Sequence, residues 1–304
     1  MRIGVIGLGA IGGVVAERLL AAHPPSRGTH EIALAGGRHA DALRARFPDV
    51  RETLQAPCDF ILLCTRTTET QSALVPAEPL LARDGAVVCL QNGLPEEKAA
   101  AVVGAGRVLG AVIGWSASMR APGDYAVTGG GEFILGGTSP RAHEAAEILR
   151  SVFPVRETGN LAGARWSKLA LNCAMSTLGA VSGLSLGELA ARRSVRRLAL
   201  RVVREVVEAA QAKGVRMEPI AGVRPDLLVQ SLPLIGHAAI WLAARKRPRQ
   251  RTGMIARLEQ GKPAGVEDLN ALVDGPLNRR LVEMVHQIER GQRQIDPRNL
   301  TELS

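Results

Sequence analysis

The chain has 304 residues, 46% apolar and 22% charged, with a net charge of +9. This balance excludes an intrinsically disordered chain, and the length suits one large domain or two of ordinary size. The four cysteines form no C-x-x-C pair and have no histidine at metal-ligand spacing. We therefore expect neither a metal site nor a disulfide framework.

Targeting and membrane segments are not recognisable in the sequence. The first apolar stretch, Ile3–Ile6, is interrupted by glycines, and no apolar run approaches membrane-spanning length. The expectation is a cytoplasmic protein in a reducing compartment that does not contact membranes.

The first half of the chain alternates apolar strands with helical periodicity. Such alternation predicts a doubly wound α/β fold, with a parallel sheet covered on both faces by helices. The predicted strands are Ile3–Ile6, Glu31–Ala35, Phe60–Cys64, Ala86–Leu90, Val108–Ile113 and Glu132–Leu135, and the predicted helices are Ile11–Ala22 and Ala40–Arg46.

The pattern changes after Gly159–Asn160, where long amphipathic helices replace the strands. Leu198–Ala212 is a clear helix that Lys213 and Gly214 should end, and Val282–Arg290 is another. We place a domain boundary near residue 161, with a nucleotide-binding domain over 1–161 and an all-helical substrate and catalytic domain over 162–304. The Pro-containing basic segment 245–251 is expected to be an exposed connection between helices.

Positive charge is concentrated in the second half. Residues 1–160 hold 15 basic and 16 acidic side chains (−1), whereas residues 161–304 hold 23 and 13 (+10). Three interpretations are open, namely a solvated helix face, a partner surface and a nucleic-acid surface. With 3% aromatic residues there is little to stack bases on, so a solvated face is favoured over nucleic-acid binding.

The segment GLGAIGG directly follows the first strand and opens the first helix. Its residues Gly7, Leu8, Gly9, Ala10, Ile11 and Gly12 form the pattern G-x-G-x-x-G. In this context the pattern predicts a dinucleotide site, because the first glycine allows a tight turn, the second admits the pyrophosphate and the third lets helix and strand pack closely.

The end of the second strand predicts which dinucleotide is bound. The sequence there is IALAGGRHA, with no acid to bond a ribose 2′-hydroxyl, and Arg38 is available to pair with a 2′-phosphate. We therefore expect NADP(H) as the cofactor.

Three further segments make the chain recognisable. They are FILLCTRTTET, CLQNGLPEE and RWSKLALNCAMSTLGAVSG. Together with the glycine motif, in this order and spacing, they make the chain resemble the ketopantoate reductase (2-dehydropantoate 2-reductase) family. The resemblance covers most of the chain and is strongest at 1–13, 60–97 and 164–185.

The resemblance implies a Rossmann domain followed by a helical domain, with NADPH reducing a keto acid between them. It implies Lys168 as general acid and Asn172 as its catalytic partner. Asn92 is an implied contact of substrate and cofactor. Ser176 stands where the family usually has a second asparagine and is a candidate substrate contact, and Arg66 is the basic residue after the third strand, an implied cofactor contact. The chemistry is reasonable in itself, because a ketone that receives hydride needs a proton donor, and positions 168 and 172 share one helix face.

The sequence departs from the family at its C-terminal motif. A gapless alignment of RTGMIARLEQGKPAGVEDLNALV puts Gly253 where the family has serine and Gly265 where it has glutamate. Glu267 is a candidate substitute for that glutamate, and a helix-start carboxylate is an equally good interpretation. The changes point to altered substrate contacts.

The function predicted is therefore NADPH-dependent reduction of a small anionic 2-keto acid, either ketopantoate or a close analogue. The alternatives are a related reductase or dehydrogenase on another substrate class, such as imines or opines, and a non-enzymatic NADP(H) sensor. A homodimer is one interpretation of the Leu/Ala/Val-rich helical half, which core packing explains equally well.

Overall fold

The computed structural model describes residues 1–24, 30–35, 38–47, 55–245 and 248–303. The chain divides into two compact units, Met1–Leu161 and Ala162–Ser304. No helix among the described residues is long and apolar enough to cross a membrane.

The first unit is a sheet of mostly parallel strands with helices packed on it. The strands are β1 (Arg2–Ile6), β2 (Glu31–Ala35), β3 (Cys58–Leu63), β4 (Leu81–Cys89), β5 (Val108–Ile113), β6 (Ser116–Ala121), β7 (Asp124–Gly129), β8 (Phe133–Gly136) and β9 (Val155–Thr158). The helices are α1 (Ala10–Ala22), α2 (Arg38–Arg46), α3 (Thr70–Leu74), α4 (Glu96–Val103) and α5 (Pro140–Arg150).

The main sheet has the order β2-β1-β3-β4-β5-β8-β9. Pairing is parallel from β2 through β5, with Ile3 opposite both Ile32 and Phe60. Central strands such as FILL in β3 are buried on both faces, which explains why their sequence is continuously apolar. The predicted fold class is therefore confirmed.

Strand β8 departs from the predicted parallel sheet. It pairs antiparallel with β5, and β9 then pairs parallel with β8. The reversal is possible because the connection between β5 and β8 is a hairpin rather than a crossover helix. The apolar strand pattern does not distinguish these two connections.

That hairpin, β6–β7, was not predicted from the sequence. Pro122 and Gly123 form its turn, and Gly123 has a φ of +81°. Proline followed by a glycine with positive φ is typical of a type II turn, so PG was an available signal. The strands were missed because they contain no continuous apolar run and none of their residues is buried.

The hairpin packs against the start of α1 through Tyr125. The phenol hydroxyl of Tyr125 donates to the carbonyl of Leu8 at 3.3 Å. A Cβ added at Gly13 would lie 2.1 Å from the Tyr125 ring, so glycine is needed for this approach. Burial of the ring raises the pKa of Tyr125. The hairpin thereby supports the glycine loop from outside the sheet.

The second unit is built from helices, as predicted. They are α6 (Leu161–Ser182, beginning at the last residue of the first unit), α7 (Leu186–Ala191), α8 (Arg193–Ala212), α9 (Pro225–Gln230), α10 (Pro233–Arg245), α11 (Gly253–Glu259) and α12 (Pro276–Glu289). Helix α8 ends before Gly214, whose φ of +68° suits a glycine stop. Within the segment 245–251, residues 246–247 lie outside the described part of the chain.

The arginines at the start of α8 lie mostly on its exposed side. Arg192, Arg193 and Arg197 are exposed, whereas the guanidinium of Arg196 donates to the carbonyls of Ala190 and Ala191 at the end of α7. Arg196 therefore has a structural role in capping a helix C-terminus.

A buried polar chain joins α6 to α8 and α12. Asn270, fully buried, accepts a hydrogen bond from Thr177 at 2.5 Å and donates to the Cys173 carbonyl at 3.1 Å and to Asn278 Oδ1 at 2.8 Å. Asn278 in turn donates its amide to Glu205 at 2.8 Å. Since each bond satisfies a group that water does not reach, this chain fixes the loop after α11 against α6.

We predict that Asn270→Ala destabilises the helical unit by about 3 kcal/mol, because it leaves the hydroxyl, carbonyl and amide partners of Asn270 without their bonds. Thermal unfolding followed by circular dichroism should show a Tm lower by roughly 10 °C. The control Gln211→Ala, at an exposed position of α8, should leave Tm nearly unchanged. Equal Tm values for the two variants would contradict the structural role of Asn270.

Candidate active site

The glycine loop after β1 is closely packed at two glycines and open at the third. Gly7 has a φ of +91°, and a Cβ there would lie 2.6 Å from the backbone nitrogen of Thr65. A Cβ at Gly12 would lie 2.0 Å from the carbonyl oxygen of Gly7. Both positions therefore require glycine for the loop, strand and helix to meet.

Gly9 is the residue of this loop that faces open space. A Cβ built on it has no atom within 4 Å, and its φ of −71° is ordinary for any residue. It is the N-cap of α1 and offers no side-chain cap, so the first N–H groups of the helix remain available to an anion. The donor set and the open space fit a pyrophosphate at this helix N-terminus.

The loops after β3 and β4 are joined by Gln91. The Gln91 side chain is buried, and its Nε2 lies 3.1 Å from Thr65 Oγ1, 3.0 Å from the Arg66 carbonyl and 2.9 Å from Thr70 Oγ1. Thr67 Oγ1 donates to the backbone carbonyl of Asn92 at 2.6 Å. These bonds fix both loops at the carboxyl edge of the parallel strands, where doubly wound sheets bind ligands.

Asn92 is exposed, and Gly93 follows it with a φ of +72°. The side chain of Asn92 is therefore presented to solvent on a loop whose backbone is fixed. Such a placement is compatible with the predicted contact to cofactor or substrate.

Two arginines were predicted to bind the cofactor. The guanidinium of Arg66 forms an ion pair with Glu69, with Nε 3.0 Å from Oε1, so a phosphate would share or replace that carboxylate. Arg38 is the first residue of α2. The side chain of Arg38 and the preceding Gly36–Gly37 lie outside the described part of the chain.

Helix α6 is buried on most of its circumference. Between positions 167 and 178, the partly exposed residues recur at spacings of three and four, which makes one narrow stripe. The members of this stripe are Lys168, Leu171, Asn172, Met175 and Ser176. Three of the predicted polar site residues thus share one face of one helix.

Lys168 is the titratable group of this stripe. Burial of its ammonium lowers the pKa of Lys168 to about 7, and the positive charge of Arg165, one turn earlier, lowers it further. Arg165 itself is 3% exposed. A lysine with this pKa exchanges protons readily at neutral pH, which is what a general acid requires.

The start of α11 lies against the far end of the same stripe. The hydroxyl of Thr252 donates to the carbonyl of Ser176 at 3.2 Å. Gly253 follows, and a Cβ there would have no atom within 4 Å. The position where the family has serine is therefore next to α6 and has room for a side chain.

The position where the family has glutamate adopts a backbone that disfavours one. Gly265 has a φ of +88° in the left-handed region, which costs a non-glycine residue about 1–2 kcal/mol. Glu267 is exposed, and its Oε1 lies 2.8 Å from Nε2 of His286 on α12. Its predicted substrate contact stays a prediction.

Matches to known protein families show to which family this chain belongs. Residues 3–140 match the family described as Ketopantoate reductase PanE/ApbA, and residues 160–289 match its C-terminal counterpart. The chain belongs to the ketopantoate reductase family. The predicted family is confirmed, and with it membership of a family of oxidoreductases.

Individual ketopantoate reductases and related proteins resemble this chain along most of its length. A 2-dehydropantoate 2-reductase of Pyrococcus horikoshii is 27% identical over 76% of this chain and 80% of its own. A PanE/ApbA family ketopantoate reductase structure from Ralstonia eutropha shares 28% identity, covers 96% of this chain and 99% of its own, and has a TM-score of 0.78. A D-mandelate dehydrogenase structure with NADH and anilino(oxo)acetate covers 96% and 99%, with a TM-score of 0.79 at 18% identity, and shows the shared fold.

Sequence reasoning did not select three residues that shape the site. Gln91 was part of a recognised motif but was not assigned a role, and Arg165 and Tyr125 were not considered. A buried amide beside Asn92 could have been suspected from its place directly after an apolar strand. The contacts of Arg165 and Tyr125 depend on tertiary packing, which no local pattern reveals.

We predict that Lys168→Met stabilises the protein at pH 7 by about 4 kcal/mol, because each unit by which the pKa is lowered corresponds to about 1.36 kcal/mol. The pKa is about 7 in the folded protein against an ordinary 10.5, so between these values the unfolded chain binds more protons and stability rises with pH. The destabilisation by Lys168 is thus fully present below pH 7 and lost towards pH 10.5.

Urea unfolding of wild type and Lys168→Met at several pH values measures this difference. Its control is Lys213→Met at an exposed site, which should change stability little at any pH. A gain in stability that is independent of pH would contradict desolvation of the Lys168 ammonium.

Proposed function

We propose that this protein is an NADPH-dependent reductase that converts a 2-keto acid, ketopantoate or a close analogue, to the 2-hydroxy acid. The observation that carries the proposal is the lysine of α6, whose pKa of about 7 is combined with a polar stripe that holds Asn172 four residues later. Family membership supplies the reaction class.

The glycine loop supports a nicotinamide dinucleotide as cofactor. Gly9 leaves room for a pyrophosphate, and Gly12 allows α1 to begin close to β1. NADH in the D-mandelate dehydrogenase supports a nicotinamide cofactor for this fold. The preference for NADPH rests on Arg38 and on the absence of an acid directly after β2.

In the proposed reaction the cofactor supplies the hydride that reaches the carbonyl carbon. The Lys168 ammonium holds the proton at Nζ, donates it to the carbonyl oxygen and stabilises the negative charge that develops there. Asn172 directs its amide to the same oxygen from one turn away. Asn92 and Ser176 orient the substrate, and the +10 charge of the second half attracts its carboxylate.

The C-terminal motif supports a substrate whose contacts differ from those that the serine and glutamate of the family would make. Gly265 cannot supply a carboxylate, and the backbone there disfavours any side chain. Gly253 leaves open space beside α6. A keto acid without the hydroxyl of ketopantoate, or with a bulkier group in its place, would not need the missing serine and glutamate contacts. The proposal also places the reaction in the cytoplasm.

Turnover should depend on the protonated form of Lys168. We expect keto-acid reduction to fall as pH rises through about 7, and Lys168→Ala to lower kcat by a factor of about 100 or more. Lys168→Arg should shift the decline to higher pH while restoring part of the rate. NADPH and NADH oxidation with ketopantoate and a panel of 2-keto acids measures these effects.

The control for that experiment is Lys213→Ala at an exposed site, which should behave as wild type. Turnover by Lys168→Ala at the wild-type rate would rule out the assigned acid. Cofactor binding without turnover of any keto acid would favour the sensor, and turnover of amine-containing substrates alone would favour the imine or opine class.

Gly9→Ala should weaken NADPH binding at least tenfold while leaving the fold intact. The added methyl meets no protein atom, but it occupies the space proposed for the pyrophosphate. Fluorescence titration with NADPH measures the affinity, and Gly106→Ala, which is equally open, serves as the matched control. Equal NADPH affinity for both variants would place the cofactor elsewhere.

A further inference from the structure

Gln91 follows strand β4 and carries the hydrogen bonds that join the loops after β3 and β4. Its side chain is 4% exposed. The Nε2 atom lies 3.0 Å from the carbonyl oxygen of Arg66 and 2.9 Å from Oγ1 of Thr70. Because Gln91 is buried, water cannot easily take its place in these bonds, and both acceptors depend on it for a donor.

The acceptors around Gln91 require an amide at this position. The Thr70 hydroxyl donates its one proton to the carbonyl of Thr67 at 2.9 Å, so towards Gln91 it can only accept. The backbone carbonyl of Arg66 is also an acceptor. A primary amide has two N–H groups, one for each of these acceptors, whereas a carboxylate has none. Glutamine therefore satisfies both acceptors, and a glutamate of the same shape would satisfy neither.

The hydrogen bonds that start at Gln91 return to its neighbour in the chain, Asn92. The hydroxyl of Thr67 donates to the backbone carbonyl of Asn92 at 2.6 Å. The bonds thus run from Gln91 through Thr70 and Thr67 to Asn92, and the peptide bond between residues 91 and 92 closes them into a hydrogen-bond ring. This ring fixes the loop after β3 in one position relative to the loop after β4.

The same side chain reaches the segment that packs on the glycine loop. Thr65 Oγ1 lies 3.1 Å from Gln91 Nε2. The backbone nitrogen of Thr65 would lie 2.6 Å from a Cβ at Gly7, so Thr65 packs directly against the first glycine of the motif. Three loops therefore meet around Gln91 at the carboxyl edge of the sheet, where doubly wound folds bind their cofactors.

We propose that Gln91 is a positioning residue of the cofactor site, whose amide holds Arg66 and Asn92 at the spacing that the dinucleotide requires. The inference rests on the proposed function, in which both residues contact the cofactor. The side chain of Arg66 is partly exposed and that of Asn92 is exposed, each on a backbone that the hydrogen-bond ring fixes. Loops that are ordered before binding do not have to lose conformational freedom when the cofactor binds, so the ring should strengthen binding.

Removing the donor tests the proposal. Gln91→Met nearly keeps the length of the side chain but has no N–H group, and the unsatisfied acceptors should raise the Kd for NADP⁺ at least about tenfold. Calorimetric titration measures the Kd. Hydrogen–deuterium exchange without cofactor should become faster in segments 64–71 and 90–94 and stay unchanged in α5, which shows that the unit folds. Gln71→Met, at an exposed position of α3, is the matched control and should match wild type in both measurements.

Gln91→Glu separates the loss of a donor from a change in packing. Its carboxylate donates no proton, so NADP⁺ should bind at least as weakly as to Gln91→Met. The protonated acid regains one donor, and burial raises the pKa of a carboxyl, so affinity relative to Gln91→Met should recover as pH falls from about 8 to about 5.5. A role that depended only on side-chain volume would give both variants the same pH profile, and that result would overturn the proposal.

Kinetics separate positioning from chemistry. With a keto acid that wild type reduces, Gln91→Met should raise the KM for NADPH at least about tenfold and keep kcat at saturating NADPH within about twofold of wild type. Unchanged NADP⁺ affinity or unchanged exchange in Gln91→Met would overturn the proposal and leave the reductase assignment intact. A wild-type protein that binds no nicotinamide dinucleotide would overturn the proposed function as well, so the two failures are distinguishable.

Discussion

The burial of helix α6 is the constraint on which the candidate site of the helical unit depends. A helix buried around most of its circumference leaves one stripe for polar side chains, so Lys168, Asn172 and Ser176 must share it. The same burial lowers the pKa of Lys168 to about 7. One packing arrangement therefore both aligns these polar side chains and sets the acidity of the proposed proton donor.

Burial of the Lys168 ammonium destabilises the fold, and hydrogen bonds elsewhere in the helical unit offset this effect. The buried polar chain through Thr177, Asn270 and Asn278 holds α6 in place by hydrogen bonds that are shielded from water. The Thr252 hydroxyl adds a bond to the Ser176 carbonyl. The loop that follows α11 is fixed on α6 through Thr177 and Cys173, which lie outside the stripe.

The two glycines of the C-terminal motif have different physical meanings. Gly253 has an ordinary helical place and free space, so a serine would be accommodated there. Gly265 has a left-handed backbone, so a glutamate would require a different loop conformation as well as a different side chain. The change at Gly265 therefore involves the conformation of the whole loop and not only one side chain. A changed loop alters several contacts to the proposed substrate at once.

Local patterns in the sequence determined the Rossmann-type sheet, the helical second unit, the glycine loop and the family. They did so because apolar runs, glycine spacing and the segment RWSKLALNCAMSTLGAVSG are local signals that can be recognised without tertiary information. Lys168 and Asn172 were selected through the resemblance to that family, and their spacing of four on a helix fixes a shared face. Tertiary structure alone decided the antiparallel β8, the Tyr125 support of the glycine loop, the bonds of Gln91 and the pKa of Lys168. Each of these depends on which distant segments pack together, and burial and strand direction are not encoded in any short stretch of the chain.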